Sequence, residues 1–192
     1  NSTIDFGGDV SGAFDLTASV GSGEVEFSST VGANAAVSDI TITGSLDLNG
    51  DIKNAAAAGA ATVSVSDKST LNGDVFTSST QSFEEIELES NTELNADDAN
   101  ITITGAINTD TNAADTLTVD AGTGNITISG KVGSVLNGQL GAIGLTGAEV
   151  TVSNTVALGG TLTVTNTGDS EISGVVSGTE AVTKAGAGNL TI

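Results

Sequence analysis

The sequence predicts an all-β fold, a parallel β-helix with about 23 residues and three short strands per coil, and three observations carry the prediction. Short polar-apolar alternations recur along the whole chain, and period two over three to six residues marks a half-buried strand. The segment Leu48-Asn49-Gly50-Asp51-Ile52 returns as Leu71-Asn72-Gly73-Asp74-Val75 and then as Leu94-Asn95-Ala96-Asp97, each time at the same offset of 23. Repetition at a fixed spacing of this size marks a solenoid rather than a sandwich. Finally, none of the 192 residues is proline. Proline would delete a ladder donor in any coil it entered.

Taken in order, the candidate strands centre on Ile40/Ile42, Leu46/Leu48, Val63/Val65, Ile86/Leu88, Ile101/Ile103, Leu117/Val119, Ile126/Ile128, Val150/Val152 and Leu162/Val164. Asn-Gly pairs at Asn49, Asn72 and Asn137 separate some of them, and such pairs adopt the turn conformations that bulkier residues resist. The offset of 23 joins Ile40/Ile42, Val63/Val65 and Ile86/Leu88 in one column. It predicts a second, inward file of Val25, Leu48, Leu71, Leu94, Leu117 and Leu140. A looser third column links Ala55/Ala57, Ile101/Ile103, Ile126/Ile128 and Val150/Val152. Nothing reads as a helix or as a domain boundary, so residues 1–192 form a single solenoid segment of about eight coils, roughly 40 Å long at the strand spacing. An antiparallel sandwich would share the alternation but not the offset.

Composition excludes several functions. The chain has no Cys and no His, and its four cations are all Lys. There is therefore no thiolate, no Ser-His-Asp or Cys-His pair, no zinc site of the usual ligand type and no disulfide frame. A formal charge of −20 repels nucleic acid and anionic membranes. No apolar run approaches the ~20 residues of a membrane span. No leader is readable, so the chain reads as mature or as a piece of something longer.

The stretch Ile172-Ser173-Gly174-Val175-Val176-Ser177-Gly178, followed by Val182-Thr183-Lys184-Ala185-Gly186-Ala187-Gly188-Asn189-Leu190-Thr191-Ile192, resembles the β-strand repeat associated with autotransporter passenger domains. That repeat has the form I-S-G-x-I-S-G, a spacer, then L-T-K-x-G-x-G-x-L-T-L. Here Val182 stands in the usual Leu position. The resemblance covers residues 172–192 and implies a right-handed β-helix, exposed on a cell surface or secreted. The family's N-T-Y-T-G-G continuation is not present, and neither is an alternating membrane barrel with aromatic girdles.

Residues that could carry chemistry are few. The offset places Asp51, Asp74, Asp97 and Asp120 in one file, where stacked carboxylates would be relieved by water, by raised pKa values or by Ca²⁺ held through oxygen ligands. Solvated turn residues are the plainer expectation, because neither an EF-hand loop nor a G-G-x-G-x-D repeat is present. In Glu84-Glu85-Ile86-Glu87-Leu88-Glu89, Ile86 and Leu88 point inward while Glu85, Glu87 and Glu89 share an outer face opposite Thr62, Ser64 and Ser66 of the preceding coil. A carboxylate pair for glycoside hydrolysis would lack the aromatic platforms and cations such sites use, since Trp, Tyr and Arg are absent. Thr41/Thr43, Thr102/Thr104, Thr116/Thr118 and Thr161/Thr163 suggest an ice-binding array. The interval from the first pair to the second is several times that from the second to the third, so the pairs do not keep one period, and β-propensity alone places Thr in strands. Sequons at Asn1, Asn100, Asn125 and Asn189 follow from composition.

The expectation is thus a structural solenoid at a cell surface or outside the cell, an adhesin or passenger stalk or a filament subunit, without catalysis. A polysaccharide-binding or polysaccharide-cleaving β-helix is the first alternative and an ice-binding solenoid the second. No cofactor is expected beyond Ca²⁺ at the Asp file. The expected partners are further coils or copies of the chain stacked end to end, because neither terminal stretch reads as a cap, and a surface or glycan receptor.

Overall fold

The computed structural model describes residues 2–54, 57–110, 114–134 and 138–192. The Asn137-Gly138 turn, the Ala55 member of the third column and the sequon at Asn1 lie outside the described residues. Every regular element described is a strand. All of the pairings are parallel except a small excursion in which Lys53–Asn54 pairs antiparallel with Ala57–Ala58.

The strands stack coil on coil into a solenoid of about nine turns. The clearest marker is the inward file Val10, Val31, Ile52, Val75, Leu94, Val119, Leu145, Val164 and Lys184, one residue per turn. A second face is marked by Ile4, Val25, Leu46, Ser69, Ile86, Ile107, Val132, Val156 and Val176. The remaining face carries Leu16, Ile40, Val63, Gln81, Ile101, Ile126 and Val150, continued by Ser170 and Leu190. Alternation places every second residue inside, so Ile, Leu and Val from the three faces meet in one continuous core. Each apolar side chain there is covered by its counterparts in the coils on either side.

In the N-terminal half, Leu16–Phe27, Val37–Leu48 and Ala60–Leu71 run unbroken across two faces. They turn the corner through irregular register between Ser19 and Glu24 and at Gly44, whose φ is +129°. Beyond Gln81–Leu88 the long strand divides, and Ile101–Ile103 and Ile107–Thr109 both pair with it. The corner between them, Thr104-Gly105-Ala106, recurs one coil later at Ser129-Gly130-Lys131. There a Cβ on Gly130 would lie 1.7 Å from the Gly105 carbonyl oxygen. Backbone rests on backbone at that corner, and only glycine fits.

The period is the main correction to the sequence reading. Coils are about 21 residues apart on average. Single steps are unequal, short where Lys68 stands beside Glu85 and long where Leu117 stands beside Ile143. The expected offset holds from Val37–Leu48 to Ala60–Leu71, where Leu48 does lie beside Leu71. Val25 stands beside Leu46 rather than Leu48. Leu71 is followed by Leu88, while Leu94 belongs to another face beside Val75 and Val119. Leu117 adjoins Thr92 and Ile143, and Leu140 bridges Leu158. The expected column of Ile86/Leu88 over Val63/Val65 also fails, because Val63 and Val65 meet Gln81 and Phe83. The physical reason is that strands must stay in register while the turns between them may change length, so a fixed offset drifts out of phase after one short coil.

Candidate functional site

Of the four aspartates expected in one file, the structure brings two together. Asp51 and Asp74 follow the stacked Asn-Gly turns, and the Asp74 backbone N–H donates to Asp51 Oδ1 at 2.9 Å. Asp74 Oδ1 in turn accepts from the Glu93 N–H at 2.9 Å. Lys53 Nζ sits between the two carboxylates, 3.2 Å from Asp51 Oδ2 and 2.9 Å from Asp74 Oδ2. It also lies 5.4 Å from the centre of the Phe76 ring. The hydrogen bond to Asp74, and then that to Asp51, holds the Lys53 ammonium above its ordinary pKa against partial burial. The chain's own ammonium therefore bridges this carboxylate pair.

Asp97 and Asp120 do not continue the file. Asp97 and Asp98 form a tight turn at φ +45° and +71°. Asp120 stacks on Asn95 and caps its own turn by accepting from the Gly122 N–H at 2.9 Å. The coil that leads from Val75 to Leu94 is shorter than the one that leads from Ile52 to Val75. That carries Asp97 past the stacking position, and the four-residue Ca²⁺ file is not formed. Among the described residues no group of three or more His, Cys, Asp or Glu is arranged to hold a metal ion.

The acidic segment 84–89 faces partners other than those the offset suggested. Glu85 stands beside Lys68 and Glu87 beside Thr70. Lys68 Nζ pairs with Glu87 Oε1 at 2.9 Å. The same outer face carries Asp5, Glu26 and Asp47 in adjacent coils. Burial, followed by repulsion from Glu26, raises the pKa of Asp47. Burial, followed by repulsion from Asp47, Asp110 and Glu87, raises that of Glu89. Asp115 is likewise raised by burial and then by Asp110. Farther along this face the acids give way to small side chains, and Ala106, Gly133, Ala157 and Ser177 line a shallow groove of about 410 Å³ with Lys131 at its edge.

Two buried amides escaped the sequence reading because they occupy positions in the alternation that apolar residues otherwise hold. Gln81 Nε2 donates to the Val75 carbonyl at 2.9 Å and to that of Asn95 at 2.8 Å. Asn166 Nδ2 donates to Ser170 Oγ and to the Asn189 carbonyl, both at 2.7 Å. Each amide satisfies carbonyls at a corner inside the rod, which is a structural role.

The sequons at Asn100 and Asn125 belong to a corner ladder. Asn100 Oδ1 accepts from the Asn125 N–H at 2.8 Å, and Asn125 Oδ1 from the Glu149 N–H at 3.2 Å. Asn189 Nδ2 donates to Asp169 Oδ1 at 2.8 Å. These side chains tie one coil to the next. No known protein family, curated protein or solved structure matches the chain.

Proposed function

We propose that the chain is a structural rod at a cell surface or outside the cell, a stalk or filament segment without catalysis. The observation that carries the reading is the recurrence, at equivalent places in three coils, of the repeat that resembles the passenger-associated one. Leu117-Thr118-Val119 is followed by Gly122, Gly124 and Ile126-Thr127-Ile128-Ser129-Gly130. Leu162-Thr163-Val164 is followed by Gly168 and Ser170-Glu171-Ile172-Ser173-Gly174. Val182-Thr183-Lys184 opens the same pattern again. The three Leu/Val-Thr positions share one register, as do Ile128, Val152 and Ile172. A repeat that keeps its register on the coils that carry it is a unit for building length.

In this reading the rod lengthens by stacking coil on coil, and copies of the chain meet end to end through a heterologous contact. Antibodies raised against the purified chain should label intact, unpermeabilised cells of the source organism. Labelling that appears only after permeabilisation would overturn the location. Release of reducing ends from a panel of polysaccharides would overturn the absence of catalysis.

A further inference from the structure

The face of Leu16, Ile40 and Val63 carries an outward file in which every step is a strand pairing: Thr17, Thr41, Ser64, Ser82, Thr102, Thr127, Thr151, Glu171 and Thr191. All of its members but Glu171 are hydroxyl residues. Two residues farther along each strand lies a second file, with Ser19 beside Thr43 and then Ser66, Glu84, Thr104, Ser129, Ser153 and Ser173. Thr41/Thr43 and Thr102/Thr104 thus share one face. The interval between them is three turns of unequal length, so the uneven spacing that argued against an array in the sequence is no objection in the fold. Thr116/Thr118 and Thr161/Thr163 lie on another face, where Gly144 separates Thr118 from Thr163.

All of these hydroxyl residues are exposed or half-exposed. Parallel pairing sets their spacing at about 4.8 Å along the rod, and alternation sets it at about 6.6 Å across. Hexagonal ice repeats along one axis by close to the first distance and along the perpendicular axis by a somewhat longer one than the second. Charge is also partitioned. The molecule carries 24 carboxylates and a net −20, yet the two files hold only Glu84 and Glu171 and no ammonium. Asp39, Glu149 and Asp169 stand at the corner that bounds the face. Apart from Glu84 and Glu171 the face is an uncharged, periodic surface, and it complements an uncharged, periodic solid. Each hydroxyl offers one donor and two acceptors to lattice water, while the Thr methyl groups limit competing hydration.

We propose that this face binds ice, with the central rows at Thr102, Thr127 and Thr151 as its core. The inference does not depend on where the rod resides. The test is thermal hysteresis and ice-recrystallisation inhibition by the purified chain, with a fluorescent conjugate to locate adsorption on a single ice crystal. The chain should shape ice, Thr127→Lys should abolish the effect, and Thr118→Lys on another face should leave it unchanged. Circular dichroism confirms that both variants fold. The combined variant Ser64→Thr, Ser82→Thr and Glu171→Thr should increase hysteresis by extending the array. Absence of hysteresis in both the native chain and this extended variant, equal loss with Thr118→Lys, or adsorption to microcrystalline cellulose but not to ice would each overturn the proposal. So would lateral dimerisation through this face, seen in sedimentation and removed by Thr127→Lys.

Discussion

Glycine and lysine decide the local outcomes at the residue scale. At Gly130 an added Cβ would meet the Gly105 carbonyl oxygen at 1.7 Å, whereas at Gly144 its nearest neighbour, on Thr118, would be 3.9 Å away. Gly130→Ala should therefore cost more than about 2 kcal/mol, since backbone rather than a flexible side chain must move. Gly144→Thr should be neutral or stabilising by up to about 1 kcal/mol, because it fills a gap between Thr118 and Thr163 in a strand. Urea unfolding of the two variants checks the contrast, and equal losses would contradict it. Lys53→Met should cost about 1 kcal/mol, the scale of a part-exposed ion pair, and should leave Asp51 and Asp74 facing each other without a cation. The native chain's melting temperature should then be indifferent to millimolar Ca²⁺, and that of Lys53→Met should rise with it. A Ca²⁺ response in the native chain would show that the ammonium does not hold the site.

At the scale of the element, the acidic outer face gives a pH dependence of unusual sign. Asp47, Glu89 and Asp115 all have pKa values raised in the folded state, chiefly by burial. A carboxyl raised in this way favours folding in its protonated form. Its contribution is complete below the unfolded pKa and is lost as pH rises through the folded value. The window begins at the ordinary values of 3.8 for Asp and 4.5 for Glu and extends upward from there. The melting temperature should consequently fall as pH rises from about 4 towards neutrality. Asp47→Asn should raise it at neutral pH and narrow the difference, because it removes one of the charges that repel Glu89. A melting temperature that rises steadily from about pH 4 to neutrality would refute this account.

For the whole molecule, stability is a sum over neighbouring coils. Leu71 is fully buried between Leu48 and Leu88. Leu71→Asp should cost about 4 kcal/mol or more, through lost burial and an unpaired interior charge. Because each coil touches only its neighbours, the loss should appear first around residues 48–88. Hydrogen exchange should accelerate there before it does near Val150–Val152. Uniform acceleration along the chain would mean that the rod melts as a single cooperative unit.

Much of this architecture is legible in the sequence because its causes are local. Alternation of Ile, Leu and Val with Thr and Ser gives strands, Asn-Gly and paired glycines give corners, and missing proline leaves the ladders intact. The match of Leu48-Asn49-Gly50-Asp51 to Leu71-Asn72-Gly73-Asp74 reflects true neighbours, because the length of that coil equals the offset of the repeated motif. Which residues share a file in the other coils is decided by the tertiary structure. Turns lengthen and shorten from coil to coil while the strand hydrogen bonds keep their register. Hence Asp97 and Asp120 leave the aspartate file, Glu87 finds Lys68, and Gln81 and Asn166 reach carbonyls inside the rod. The same accumulation of unequal turns gathers Thr41, Thr102, Thr127 and Thr151 onto one face. Sequence alone determined that the chain would coil in parallel strands around an apolar core; the hydrogen-bond ladder, indifferent to the residues looped out between its rungs, decided what each face displays.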